Sequence, residues 1–102
     1  MFISQVTFTA NKEHEEFVKS IVMKKQEQGI DWEGFVESLA LRSTSGDDVS
    51  YTWQTKWTEK AHHLDWMKRP EHIEGHKKMR QQEPDPNRPQ VTKTVQRYDV
   101  VA

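Results

Sequence analysis

The chain has 102 residues, enough for one small domain, residues 1–102, and short for two. Apolar residues make up 33%, a thin core for a lone monomer, and oligomerisation is one way to bury more. A net charge of −1 with 10% aromatic residues excludes a disordered chain and argues against nucleic acid as the main partner; the absence of cysteine excludes disulfides and thiolate chemistry.

Residues 2–9, FISQVTFT, alternate roughly and read as a first strand, with Phe2, Val6 and Phe8 of one parity and Ser4 interrupting them. The apolar stretch is short and no basic segment precedes it, so it does not read as a signal peptide. No run of about 18 apolar residues offers a membrane span, and a cytoplasmic protein is expected. Asn11 is an expected N-cap, followed by Glu13, Glu15 and Glu16 where a helix dipole favours anions. Phe17, Val18, Ile21 and Val22 form one stripe, and Gly29 ends a helix predicted over 12–28.

Residues 30–34 connect to a strand over 35–43, with Phe35, Leu39 and Leu41 expected on one face. A turn cluster at 43–48 leads to the clearest strand, 49–57. There Val49, Tyr51, Trp53, Thr55 and Trp57 alternate with Ser50, Thr52, Gln54 and Lys56. Thr58 is the expected N-cap of a helix over 59–69. Pro70 breaks that helix and suits the first turn of another, over 70–82. Residues 83–89 carry three prolines and read as a loop, and 91–101 as a last strand.

The order β-α-β-β-α-β is the ferredoxin-like split unit, an α+β fold with a four-stranded antiparallel sheet and both helices on one face. The other face is left bare. Pairing two such faces would cover them, which predicts a homodimer.

Among candidate site residues, His14 lies among glutamates and reads as solvated. His62 and His63 are adjacent, so at most one shares a face with Trp66, and surface placement is expected for them. His72 and His76 share a face at i, i+4, but H-I-E-G-H is not the zinc-protease motif, and no third ligand is evident. Gly75 costs helix stability where it stands, and one return would be close approach of a flat ligand beside His76. A neutral imidazole can ligate haem iron; a helix-end Gly-His without a ligand is the plainer reading. Trp66 is either a core anchor or a pocket wall. Trp53 and Trp57 read as core or dimer-face residues, and Trp32 as partly exposed. Lys68-Arg69 and Lys77-Lys78-Met79-Arg80 read as a solvated face that could also receive carboxylates. No glycine-rich phosphate loop, dinucleotide fingerprint or nucleophile elbow is present.

The stretch WTEKAHHLDWMKRPEHIEGHKKMR, Trp57 to Arg80, resembles the antibiotic-biosynthesis-monooxygenase superfamily, and its haem-degrading branch of the IsdG and HmoA type most closely. E-G-F at 33–35 and Y-D-V at 98–100 support the resemblance, which covers essentially the whole chain. It implies a ferredoxin-like subunit and a homodimer whose sheets pack as an α/β barrel. His76 and Trp66 fall on the family's histidine and tryptophan. The resemblance therefore implies His76 as proximal ligand to haem iron, Gly75 beside it, and Trp66 pressing on the porphyrin. Haem would be both substrate and cofactor, with O2 and an external electron donor such as a reductase.

The family's first-strand asparagine, which hydrogen-bonds the distal ligand, has no counterpart in residues 2–9. Ser4 stands there in the best register, with Gln5 or Val6 in a shifted one. Three functions remain open: a haem-degrading monooxygenase using His76, Trp66 and Ser4; a cofactor-independent monooxygenase of a quinol-like aromatic; and a non-catalytic haem-binding dimer.

Overall fold

The computed structural model describes residues 1–70, 72 and 89–102. Of the expected helical segment over 70–82, residues 71 and 73–82, Gly75 and His76 among them, lie outside the described residues, as do residues 83–88 of the proline-rich loop. The elements in chain order are β1 (Phe2–Asn11), a 3-10 turn (Lys12–His14), α1 (Glu15–Gln28), β2 (Phe35–Ser45), β3 (Asp48–Trp57), α2 (Lys60–Met67) and β4 (Thr92–Asp99). The four strands form one antiparallel sheet in the order β2-β3-β1-β4, as the split unit requires.

Local chemistry sets most boundaries. Asn11 is extended, and its side chain accepts a hydrogen bond of 3.0 Å from the Glu13 N–H, turning the chain out of β1. Gly29, at φ 66°, ends α1, and its N–H reaches the Lys25 carbonyl at 3.3 Å. Gly46 opens the two-residue turn between β2 and β3 at φ 58°, the position a hairpin of this length gives to glycine. Both strands run closer to the turn than the composition of 43–48 implies.

The alternation in β3 is reproduced residue by residue: Val49, Tyr51, Trp53, Thr55 and Trp57 are buried under the helices. Val18 and Val22 of α1 are wholly buried against Phe8, Ala10, Val49, Tyr51 and Trp53. Each such aliphatic side chain contributes about 1.5–3 kcal/mol. Glu15 pins the start of α1 to the sheet, accepting from Arg42 Nε at 2.6 Å and the Tyr51 hydroxyl at 3.2 Å.

The open face is polar at its centre. Gln5 pairs with Gln54 (2.8 Å), Thr7 with Thr52 (2.7 Å) and Thr9 with Ser50 (2.7 Å) across β1 and β3. The strand pairing puts Leu39 and Leu41 of β2 and Tyr98 of β4 at the two sides of this face, and all three are exposed.

Four expectations need correction. Phe35 does not share a face with Leu39 and Leu41. A bulge between Phe35 and Glu37 inserts Val36, so Phe35 sits opposite Trp57 under the helices while Leu39 and Leu41 stay on the open face. The N-cap of α2 is Glu59, not Thr58, and it makes no side-chain cap bond. The Thr58 N–H is tied instead to the Gly34 carbonyl at 2.8 Å. The second helix is shorter than expected, ending at Met67 before Pro70, whose own backbone and that of His72 are helical. The last strand ends at Asp99 rather than at Val101.

Candidate functional site

A cavity of about 190 Å³ opens between the helix-covered face of the sheet, the C-terminal end of α1 and the segment from α2 to His72. Strand parity supplies its floor. Ser4 and Val6 of β1, Trp53 and Thr55 of β3, and Lys93, Val95 and Arg97 of β4 point to the same side. Lys25, Gln28 and Gly29 close one end; His63, Trp66, Met67, Arg69 and His72 form the roof.

The walls are aromatic. Trp66 is half-buried, with ring centroids 5.6 Å from Trp57, 6.1 Å from Trp53 and 5.8 Å from His72. Trp53 is held by its indole N–H, which donates to Gln26 Oε1 at 3.0 Å, and Gln26 in turn donates to the Ser38 carbonyl at 3.2 Å. A planar ligand would find rings already fixed by packing.

The charge is one-sided. Lys25, Arg69, Lys93 and Arg97 line the cavity, and no carboxylate side chain does among the described residues. The Arg69 guanidinium lies 4.1 Å over the Trp66 ring and donates to the Trp66 carbonyl at 2.8 Å. Lys25 Nζ stands 5.7 Å over Trp53. Burial, then repulsion from Lys93 and Arg69, lowers the Lys25 pKa below the usual ammonium value. Clustered cations repel one another, so the cavity favours an anionic ligand that neutralises them.

His63 is the most unusual residue here. It is 2% exposed, wedged among Phe2, Trp57 and Trp66, and its Nδ1 has no hydrogen-bond partner among the described residues. Desolvation, then Arg97 and His72, depress its pKa to about 4, so the ring is uncharged at neutral pH.

Of the residues singled out from sequence, Ser4 and Trp66 line this one cavity, Ser4 at 4% exposure. Trp66 is thus both a neighbour of the core and a pocket wall. Gly75 and His76 lie outside the described residues. Surface placement holds for neither histidine of the pair in full: His63 is buried, and His62 is partly covered beneath Gly34. Gly34, at φ 84°, leaves that room, since a Cβ there would lie 2.3 Å from His62 Cγ. Sequence reading missed His63 and the cations Lys25, Lys93 and Arg97. The i, i+3 spacing of His63 to Trp66 and the common parity of 93, 95 and 97 were the available signals.

A family model for antibiotic biosynthesis monooxygenases matches residues 1–78. The chain belongs to that family. Members of that family are generally monooxygenases. Among solved structures, a Deinococcus radiodurans protein assigned to the antibiotic biosynthesis monooxygenases superposes with a TM-score of 0.69 at 14% identity, covering 100% of this chain and 94% of that one. The heme-degrader MhuD from Mycobacterium tuberculosis, solved with two hemes in its active site, gives 0.63 at 14%, covering 98% and 96%. SnoaB from Streptomyces nogalater, a cofactor-independent oxygenase, gives 0.54 at 15%, covering 99% and 94%. At these identities the likeness extends to the fold and not to the substrate. No curated protein sequence matches. No described helix is long and apolar enough to cross a membrane.

Burial of uncharged His63 links stability to pH. Its folded pKa lies below the unfolded value of 6.5, so the unfolded chain binds the extra proton between pH 6.5 and about 4. Stability contributed by the neutral ring is present above pH 6.5 and lost as pH falls to 4, by about 3 kcal/mol. Urea midpoints from pH 7 to 4.5 should fall more for the wild type than for His63→Phe; parallel curves would contradict this.

Proposed function

We propose that the protein is an oxygen-dependent monooxygenase acting on a planar aromatic anion, and that haem, opened oxidatively with release of iron, is its substrate. The observation that carries this reading is the set of four cations around the Trp53–Trp66 walls, where no carboxylate lines the cavity among the described residues. A porphyrin needs a flat apolar wall for its ring and cations for its two carboxylates, and the described residues fit both needs. The fold shared with a heme-degrader agrees with it.

In this reading Trp66 packs against the macrocycle face, while Lys25, Lys93, Arg69 and Arg97 hold the carboxylates by charge-assisted hydrogen bonds. Bound haem iron supplies the site for oxygen activation, and His76 is assigned to it by the sequence resemblance. Ser4 offers the only hydroxyl on the β1 floor of the cavity, able to bond a polar ligand atom directly or through water. His63, uncharged, adds hydrogen-bonding capacity without adding a fifth full charge. Electrons come from an external donor.

A second reading is favoured by Ser4. Its side chain is shorter than the asparagine of the haem-degrading pattern, and the same cations would stabilise the anion of a quinol-like aromatic that reduces O2 without a cofactor. The fold shared with a cofactor-independent oxygenase agrees with that alternative.

Haemin titration, followed in the Soret region, separates the readings. One-to-one saturable binding is expected, lost in His76→Ala and weakened about tenfold in Arg97→Glu, the size of one charge-assisted hydrogen bond. Ascorbate in air, with catalase present, should then bleach the Soret band. No saturable binding would overturn the haem reading, and oxygen uptake with quinol-like substrates would become the assay. Stable binding without bleaching would leave a haem-binding protein.

We further propose that the active form is a homodimer joined through the open sheet face, where exposed Leu39, Leu41 and Tyr98 flank the polar centre. Sedimentation should give about twice the 12.1 kDa chain mass, and Leu39→Glu with Leu41→Glu should return the monomer. A wild-type monomer, or a dimer indifferent to both changes, would contradict it.

A further inference from the structure

Trp66 has four aromatic neighbours among the described residues, and none of them lies flat on it. Trp53 and Trp57 reach it from the sheet at tilts of 58° and 44°, and His63 and His72 stand at 39° and 37°. The group that does cover its ring is the Arg69 guanidinium, 4.1 Å from the centroid. Trp66 and Arg69 both line the cavity.

Stacked layers sit about 3.5–4 Å apart, so a separation of 4.1 Å admits nothing between guanidinium and indole. A flat ligand can take that face of Trp66 only when Arg69 has left it.

The backbone does not resist that movement. The guanidinium donates to the Trp66 carbonyl at 2.8 Å, and the Arg69 N–H donates to the same oxygen at 3.3 Å. The carbonyl therefore keeps a donor when the side chain swings away, and no acceptor is orphaned. What is lost is the cation–π contact, which the ligand has to replace. An uncharged ring offers the guanidinium nothing in exchange. A ring bearing a carboxylate does, because the two oxygens match the planar fork of the guanidinium and carry the opposite charge.

We propose that Arg69 determines specificity by exchange: its guanidinium covers the Trp66 ring and gives up that face to a flat ligand only when the ligand's own carboxylate takes the guanidinium in return. Arg69 thereby selects against uncharged rings, which is more than one further cation attracting charged ones would do. The proposal rests on the haem reading of the cavity.

Haemin and haemin dimethyl ester test it, since they share ring and iron and differ only at the two carboxylates. Both are titrated into wild type, Arg69→Ala, Arg69→Gln and Lys93→Ala, followed by the Soret band and by quenching of tryptophan fluorescence. The wild type should bind haemin at least about tenfold more tightly than the ester, the size of one charge-assisted hydrogen bond. Both Arg69 variants should bind the ester about fivefold more tightly than the wild type does, the size of the cation–π contact no longer to be broken, and should bind haemin no more tightly. Lys93→Ala removes a cation carried on β4 rather than over the indole, and should weaken haemin while leaving the ester unchanged. Arg69→Gln, closer to arginine in length, decides the matter if the alanine variant does not fold. Ester binding that fails to tighten in the Arg69 variants, or tightens equally in Lys93→Ala, would overturn the role of Arg69 and leave the haem reading standing, as would a wild type that binds the two porphyrins alike. A wild type that binds neither would overturn the haem reading and this proposal with it.

Discussion

Trp57 is the point on which the covered side of the molecule closes. It is wholly buried at the end of β3, with Phe35, His63 and Trp66 packed around it at 5.4–5.6 Å. The helix it supports, α2, has eight residues and no side-chain cap, too short to hold its shape by backbone bonding alone. Ring contacts anchor it instead, and pairs of this kind each add about 0.5–1.5 kcal/mol beyond buried area. The same contacts fix Trp66 at the roof of the cavity. Core and site therefore share one aromatic cluster, and neither can be altered without moving the other.

Electrostatics divides the cavity into two chemically distinct ends. Four cations converge on it from α1, β4 and the segment after α2. Lys25 and Arg69 lie over the indoles of Trp53 and Trp66, and burial, then repulsion from Lys93 and Arg69, lowers the Lys25 pKa. The buried end holds an imidazole kept neutral by desolvation, then by Arg97 and His72. The arrangement is suited to a flat molecule with a negative edge, a description that covers both the haem and the quinol-like readings. The family membership points to monooxygenation, and the proposed ligand chemistry rests on the cavity.

Much of the fold was legible in the sequence because local signals agreed with the global arrangement. The strict alternation of 49–57 named the two faces of β3, Asn11 and Gly29 marked the helix they bracket, and Pro70 marked the break after α2. The errors have physical causes. A bulge at Val36 leaves no trace in the alternation of β2, yet it moves Phe35 to the opposite face from Leu39. Thr58 has the composition of a cap, but its backbone is committed to Gly34. His63 reads as a surface residue because polarity predicts exposure; only the packing of Phe2 and Trp57 from distant strands buries it. For the site, Ser4 and Trp66 were legible through family resemblance, and the cavity brings them together. Lys93 and Arg97 were not, since alternation on an edge strand does not say which parity faces the helices until pairing with β1 is known.

The central claim is that the cavity beside Trp66, ringed by Lys25, Arg69, Lys93 and Arg97, is where a planar anion binds. A crystal structure of the protein grown with haemin tests it most directly. The account predicts density for the macrocycle against Trp66, with its carboxylates within hydrogen-bond distance of at least two of those four cations. Haemin seated on the open sheet face, or in the cavity with its carboxylates turned away from all four, would contradict it.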